Sequence, residues 1–317
     1  MRPTGTLLCL ASGAAFGAMA VFGKLAYGQG ATVGTLLAIR FMLAAAAFWA
    51  LVIAGGCAHE VRELSRRDLC VGLGLGGCGY ALQAACYFAA LTRIDAGLLS
   101  MLLYTFPVMV TAATVALDRD QVNERQLAAL GLTSSGLVLV VAGTGADGLD
   151  PLGVALGLGA AVVYTTYILV SADIVARVRP RVLSALVCTG AAISLTGGSA
   201  LLGELRPGAL TAAGWGWLAC LAVVSTVAAI SLFFAGLRRA GPTTASILAT
   251  VEPLVTVVLA FLILGETLGA MQVGGGALVL TGALVVHARL AHRSQLMQPS
   301  VGSHVIRTIH VPNEQTT

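Results

Sequence analysis

The stretch "FAALTRIDAGLLSMLLYTFP" (Phe88–Pro107) recurs as "FAGLRRAGPTTASILATVEP" (Phe234–Pro253) when the chain is shifted by 146 residues without a gap. Phe88, Ala89, Leu91, Arg93, Ser100, Leu102 and Pro107 all return as the same residue. A chain rich in leucine and alanine matches itself by chance at Leu and Ala, but not at Arg, Ser and Pro in one register. The same shift sets Asp120 on Glu266, Gln126 on Gln272 and Gly136 on Gly282, and lays "LASGAAFG" (Leu10–Gly17) on "LGLGAAVV" (Leu156–Val163). The chain is therefore read as a duplication: residues 1–144, residues 145–288, and a polar tail, 289–317. Because its first apolar segment has an internal counterpart, that segment is read as structure and not as a cleaved signal peptide, although Arg2 precedes it.

Composition says where the two copies reside. The chain is 57% hydrophobic and 10% charged, with a mean hydropathy of +0.91, against about 25% charged residues in soluble domains. Two soluble domains are excluded, and an all-α integral membrane protein is expected. A crossing helix needs about 20 apolar residues. Ten such runs begin near Thr6, Thr32, Leu69, Asp95, Arg125, Pro151, Val182, Ala212, Pro242 and Ala270. Five spans per copy is an odd number, so the second copy enters the membrane upside down. Ten transmembrane helices in two inverted five-helix repeats belong to secondary transporters, whose substrate site lies at the repeat interface near the midplane.

Basic residues orient the chain. With the N-terminus inside, Arg2, Arg62, Arg66, Arg67, Arg119, Arg125, Arg177, Arg179, Arg181, Arg238, Arg239, Arg289, Arg293 and Arg307 are cytoplasmic, and only Lys24, Arg93 and Arg206 lie outside. Both termini are expected in the cytoplasm, in a multi-pass protein of the cell inner membrane. Trp49, Trp215 and Trp217 suit interfacial positions. The net charge of +4 comes in short clusters without a basic stripe, so no nucleic-acid partner is expected. The seven cysteines lack paired spacing and are read as small packing residues.

Enzyme signals fail. "GAMAVFGKL" (Gly17–Leu25) has five residues between its glycines and Leu after the lysine, whereas a phosphate-cradling loop needs four and a Ser or Thr. HExxH and GxSxG do not occur. No catalytic residue, cofactor or metal site is expected.

The stretches "AIRFMLAA" (Ala38–Ala45) and "EPLVTVVLAFLILGETLGAMQVGGGALVLTGALVV" (Glu252–Val286) resemble the EamA-type family of the drug/metabolite transporter superfamily, over nearly all of residues 5 to 288. The resemblance implies ten helices around a central cavity and the movement of small organic metabolites, most often outward. Phe16 stands where the family often has tryptophan, and "TFP" (Thr105–Pro107) in the first half answers "VEP" in the second. The expected function is export of small polar metabolites, such as amino acids or related compounds, by alternating access in a proton-linked or facilitative carrier. The expected partners are that solute and the bilayer, with protons as one option for coupling and a second copy in a homodimer as one option for assembly. The alternative is a non-transporting membrane sensor or assembly partner on the same fold.

Glu252 lies mid-span, where an acidic side chain costs roughly 2.5 to 3.5 kcal/mol on insertion scales. Its repeat counterpart is Phe106, so the fold itself does not demand a carboxylate there. Coupling, substrate contact and a permanent pairing that stabilises the bundle are the three options. Ala245, Ala249 and Thr256 beside it are small and would admit a substrate or another helix. Arg40, roughly 12 Å inside its span, either snorkels to the surface or faces the centre, toward a substrate carboxylate or Glu252. Tyr80, Gln83 and Tyr87 share one helix face, as do Tyr164, Tyr167 and Ser171. So do Ser100, Tyr104 and Pro107, with their counterparts Ser246, Thr250 and Pro253. Such faces form either a wet centre or interhelical hydrogen bonds in a dry bundle. Pro107 and Pro253 are helix breaks that free the carbonyls of Leu103 and Ala249, at equivalent repeat positions. Four-residue glycine spacings, Gly13 and Gly17, Gly72 and Gly76, Gly153 and Gly157, predict close helix contacts.

Overall fold

The computed structural model describes residues 3–116, 124–143, 150–240, 248–249 and 251–296. All regular structure among them is helical, as membrane-buried backbone requires when it must satisfy its own polar groups. Six helical stretches are long and apolar enough to cross a bilayer: Thr4–Tyr27, Val33–Ala54, Arg66–Leu91, Pro151–Ser171, Pro180–Leu201 and Ala212–Arg239. Shorter apolar helices, Ala96–Val110, Gly131–Val140, Val251–Leu264 and Ala270–Gly282, fall within the other apolar runs of the sequence.

Helix starts follow local chemistry. The Thr32 hydroxyl caps α3 (Val33–Ala54) by accepting from Thr35 N at 3.0 Å. Asp150 caps α10 (Pro151–Arg177) from Gly153 N at 2.9 Å, with proline at the first helical position, and Thr211 caps α12 (Ala212–Ala222) from Gly214 N at 3.1 Å. Each cap supplies an acceptor to a backbone donor that no helix turn can satisfy, worth about 1 kcal/mol.

Several spans are not regular helices throughout. The first turns at Ala18 between α1 (Pro3–Gly17) and α2 (Met19–Tyr27). π-helical stretches interrupt the helix Arg66–Leu91 at Leu75–Tyr80, between α5 (Arg66–Gly74) and α6 (Ala81–Leu91), and the helix Ala212–Arg239 at Val223–Ala228, between α12 and α13 (Ala229–Ala240). The 146-residue shift carries the first π stretch to within two residues of the second. A third, Ala260–Leu264, follows α14 (Val251–Leu259) and ends at Gly265, whose φ of +70° suits glycine.

Charged pairs sort to the two ends of the helices. Lys24, Asp95 and Glu266 gather at one end, where Arg93 also meets Asp150 at 3.1 Å. Arg177 with Asp68 (3.1 Å) and Arg179 with Glu60 (2.6 Å) occupy the other. The Asp150 carboxyl is held below the usual carboxylate range, first by the Gly153 amide and then by Arg93. Trp215 is 46% exposed, but Trp217 stacks on Phe22 and Trp49 donates to Thr189 at 2.9 Å, so those two also join helices. Cys70 and Cys78 are exposed, unlike the buried Cys9, Cys57 and Cys188.

At Gly76 a Cβ would collide with the Val187 carbonyl of α11 (Pro180–Leu201), and at Gly190 with the Leu73 carbonyl. Backbone thus meets backbone where α11 crosses the third span. Gly76→Val should lower stability by about 1–3 kcal/mol through overpacking, read as a fall of several degrees in the melting temperature of the detergent-purified protein. Gly74→Ala, where the added methyl meets nothing within 4 Å, should not lower it.

Candidate functional site

Arg40 is 2% exposed. Its Nε donates to Thr226 Oγ1 at 3.0 Å, and its guanidinium carbon lies 5.0 Å and 5.2 Å from the Phe41 and Phe88 ring centroids. The side chain therefore does not snorkel. Ring faces attract the cation, but among the described residues no carboxylate forms an ion pair with Arg40. One of its five N–H donors is committed. Chemically, a buried guanidinium with so few partners is able to receive an anion.

Thr226, which holds Arg40, lies in the π-helical stretch and also donates to Leu221 O, five residues back, at 3.1 Å. Local π winding redirects a side chain without ending the helix. The sequence analysis passed over Thr226, yet the repeat contains the signal: the 146-residue shift pairs it with Tyr80, the last residue of the other π stretch.

On the fourth span the helix breaks at Tyr104–Thr105, between α7 (Ala96–Leu103) and α8 (Phe106–Ala116), just before Pro107. The Tyr104 hydroxyl reaches the segment that carries Glu252. It lies 2.6 Å from Ala249 O, the carbonyl that Pro253 leaves without a helical donor, and 3.0 Å from Glu252 Oε2. Behind Glu252, the first span comes close enough that a Cβ on Gly17 would sit 2.7 Å from the Glu252 carbonyl oxygen. Thr256 ties the two together, its hydroxyl 3.0 Å from Gly17 O and 3.1 Å from Glu252 O. Ala245, Ser246 and Thr250 lie outside the described residues.

Aromatic rings connect Arg40 to Glu252. Phe41, beside the guanidinium, meets Tyr80 edge-on at 5.3 Å; Tyr80 meets Tyr167 at 5.8 Å; Tyr167 stacks on Tyr164 at 6.2 Å. Tyr164 then meets Phe106 at 4.7 Å, and Phe106 meets Tyr104 at 5.8 Å, which touches Glu252. Tyr80, Tyr164 and Tyr167 are half-buried, and their hydroxyls have no hydrogen-bond partner among the described residues. Gln83 and Tyr87 are buried on the same helix as Tyr80, and both Tyr80 and Tyr87 lie within electrostatic range of Arg40 and Glu252. Ser100 and Ser171 belong elsewhere: each hydroxyl bonds a carbonyl of its own helix, Gly97 O at 2.8 Å and Ile168 O at 3.1 Å.

At the helix ends near Lys24, a polar cluster joins distant parts of the chain. Lys24 Nζ is 2.6 Å from Glu266 Oε1 and 3.6 Å from Asp95, while Glu266 Oε2 accepts from Gly97 N at 3.3 Å. It joins α2, the start of α7 and the residues just after Gly265.

The family model for the EamA-like transporter family matches residues 3–142 and again 151–288. The chain belongs to this family. It is a multi-pass membrane protein of a transporter family, whose members work on small molecules in a lipid environment. An uncharacterized transporter of Bacillus subtilis (strain 168), YcbK, is 29% identical over 287 residues, covering 88% of this chain and 92% of that protein. An uncharacterized transporter of Archaeoglobus fulgidus is 29% identical over 231 residues, covering 71% of this chain and 78% of that one. A solved crystal structure, 20% identical, superposes with a TM-score of 0.62 over 93% of this chain and 99% of that one, a likeness of fold. In this family member, Arg40 and Glu252 are linked by the succession of ring contacts through Phe41, Tyr80, Tyr167, Tyr164, Phe106 and Tyr104.

Proposed function

We propose that this transporter is a proton-linked secondary carrier that exports small polar metabolites bearing a carboxylate, such as amino acids or related compounds, across the inner membrane by alternating access. One observation carries the proposal: a buried arginine without an acidic partner among the described residues, joined through aromatic rings to a mid-span glutamate. Arg40 takes the substrate carboxylate, the half-buried tyrosines supply apolar faces and hydroxyls, and Glu252 exchanges a proton. The Tyr104 hydroxyl has one proton and two acceptors. Donated to Ala249 O, it leaves the phenol oxygen to accept from a protonated Glu252. Loss of the Glu252 proton would turn Tyr104 toward the carboxylate and release the Ala249 carbonyl, which loosens the fourth span from the ninth.

The architecture proposed is ten spans in two inverted repeats, residues 1–144 and 145–288. The paired π stretches and the two family matches support it. Both termini lie in the cytoplasm, so the Lys24–Glu266 contact closes the outer end. A reporter that is active only outside the membrane, fused after Gln298, should stay silent; strong activity would overturn this topology.

Untargeted metabolomics on cells lacking or overproducing the chain tests the function. Overproduction should move one or a few carboxylate-bearing metabolites from cells to medium, and deletion should retain them. Unchanged profiles in both would favour the sensor or assembly role.

A further inference from the structure

A second cavity is lined by α3 and α13, and its α3 residues begin at Phe48, about two turns beyond Arg40 and Phe41. This cavity, of about 320 Å³, opens between the third-helix end, the start of α11 and the end of α13. None of its lining residues comes from the helices that carry Tyr80, Tyr104, Tyr164 or Glu252. Its walls are divided in character. Phe48, Leu51, Ile230 and Phe234 make one part apolar, and Leu51 remains 39% exposed at its mouth. Arg179, Arg181 and Arg238 line the other part against a single acid, Glu60.

Arg179 is committed to Glu60 at 2.6 Å. Arg181 and Arg238 have no acidic partner among the described residues, and the Ser184 hydroxyl, one turn along from Arg181, has no hydrogen-bond partner among them either. The start of α11 adds to this. Its N-cap, Arg179, contributes no side-chain bond, so the first-turn amides and the positive end of the helix face the same space. Two guanidinium groups, a hydroxyl and a helix N-terminus beside an apolar wall describe a receptor for an anionic amphiphile.

We propose that this cavity binds an anionic phospholipid, its phosphate between Arg181 and Arg238 and an acyl chain against Leu51, Ile230 and Phe234. Basic pockets between membrane helices recognise anionic headgroups in this way, and arginine suits phosphate because its planar fork donates two parallel bonds. The leaflet, though not the site itself, rests on the orientation proposed above, which makes it the inner one.

Native mass spectrometry of the purified full-length protein tests this, with dioleoylphosphatidylglycerol, dioleoylphosphatidylcholine and glycerol 3-phosphate as probes. Phosphatidylglycerol should remain bound after activation that strips phosphatidylcholine. The Arg181→Gln/Arg238→Gln double variant, altered at two exposed side chains, should lose at least tenfold of the bound fraction, while Arg181→Lys/Arg238→Lys keeps most of it. Equal retention of both lipids, unchanged binding by the Gln variant, or equal binding of glycerol 3-phosphate, which would mark a soluble anion as the ligand, would each overturn the proposal. The measurement requires neither transport nor orientation, so its failure and that of the transport proposal are separable.

Discussion

Arg40→Ala is expected to reduce transport by about 100-fold or more while the protein reaches the membrane in wild-type amount. If Arg40 receives the substrate carboxylate, truncation leaves that carboxylate buried without its partner, a loss of about 3–5 kcal/mol, and every 1.4 kcal/mol is tenfold in affinity. The fold is not put at comparable risk. Arg40 bonds one neutral hydroxyl, Thr226 keeps its bond to Leu221 O, and removing a buried charge that has no acidic partner among the described residues does not strand another there. Arg40→Lys should fall between, since it keeps the charge and loses the planar fork. Initial rates in vesicles, together with melting temperatures, check the pair. Normal transport by Arg40→Ala would remove Arg40 from the site.

Glu252→Gln should lose accumulation driven by a pH gradient, by tenfold or more, and retain substrate exchange. The amide preserves the shape of the side chain and a polar contact with Tyr104, so the helix pair at Gly17 and Thr256 should still form. What it cannot do is release a proton. Exchange needs only that the loaded carrier reorient, whereas accumulation needs the proton to travel. Tyr104→Phe provides the comparison: it removes the donor to Ala249 O and should weaken both activities together. Undiminished gradient-driven uptake by Glu252→Gln would sink the coupling role.

Membrane class and helical fold were legible because they are written in composition and run length, which need no long-range information. The carbonyl freed by Pro253 could be named from sequence, but its donor could not, since Tyr104 lies 145 residues from Ala249. Arg40 shows a similar limit. Its depth along the helix was readable and its direction was not, because α3 is apolar on nearly every face and gives no periodicity to mark an inward side. The π stretches change which face Tyr80 and Thr226 present, and a pattern analysis at 3.6 residues per turn does not register an inserted residue. Ring-to-ring contacts across four helices, and the Lys24–Glu266 pair across 242 residues, arise from tertiary packing alone.

The central claim is that this chain carries a carboxylate-bearing solute through a site containing Arg40. Counterflow into proteoliposomes, with purified protein and a panel of labelled amino acids and related carboxylates, tests it most directly. Preloaded vesicles containing the wild-type chain should take up label for at least one member of the panel, and vesicles with Arg40→Ala should not. Folded, reconstituted wild-type protein that catalyses no counterflow of any carboxylate would contradict the claim.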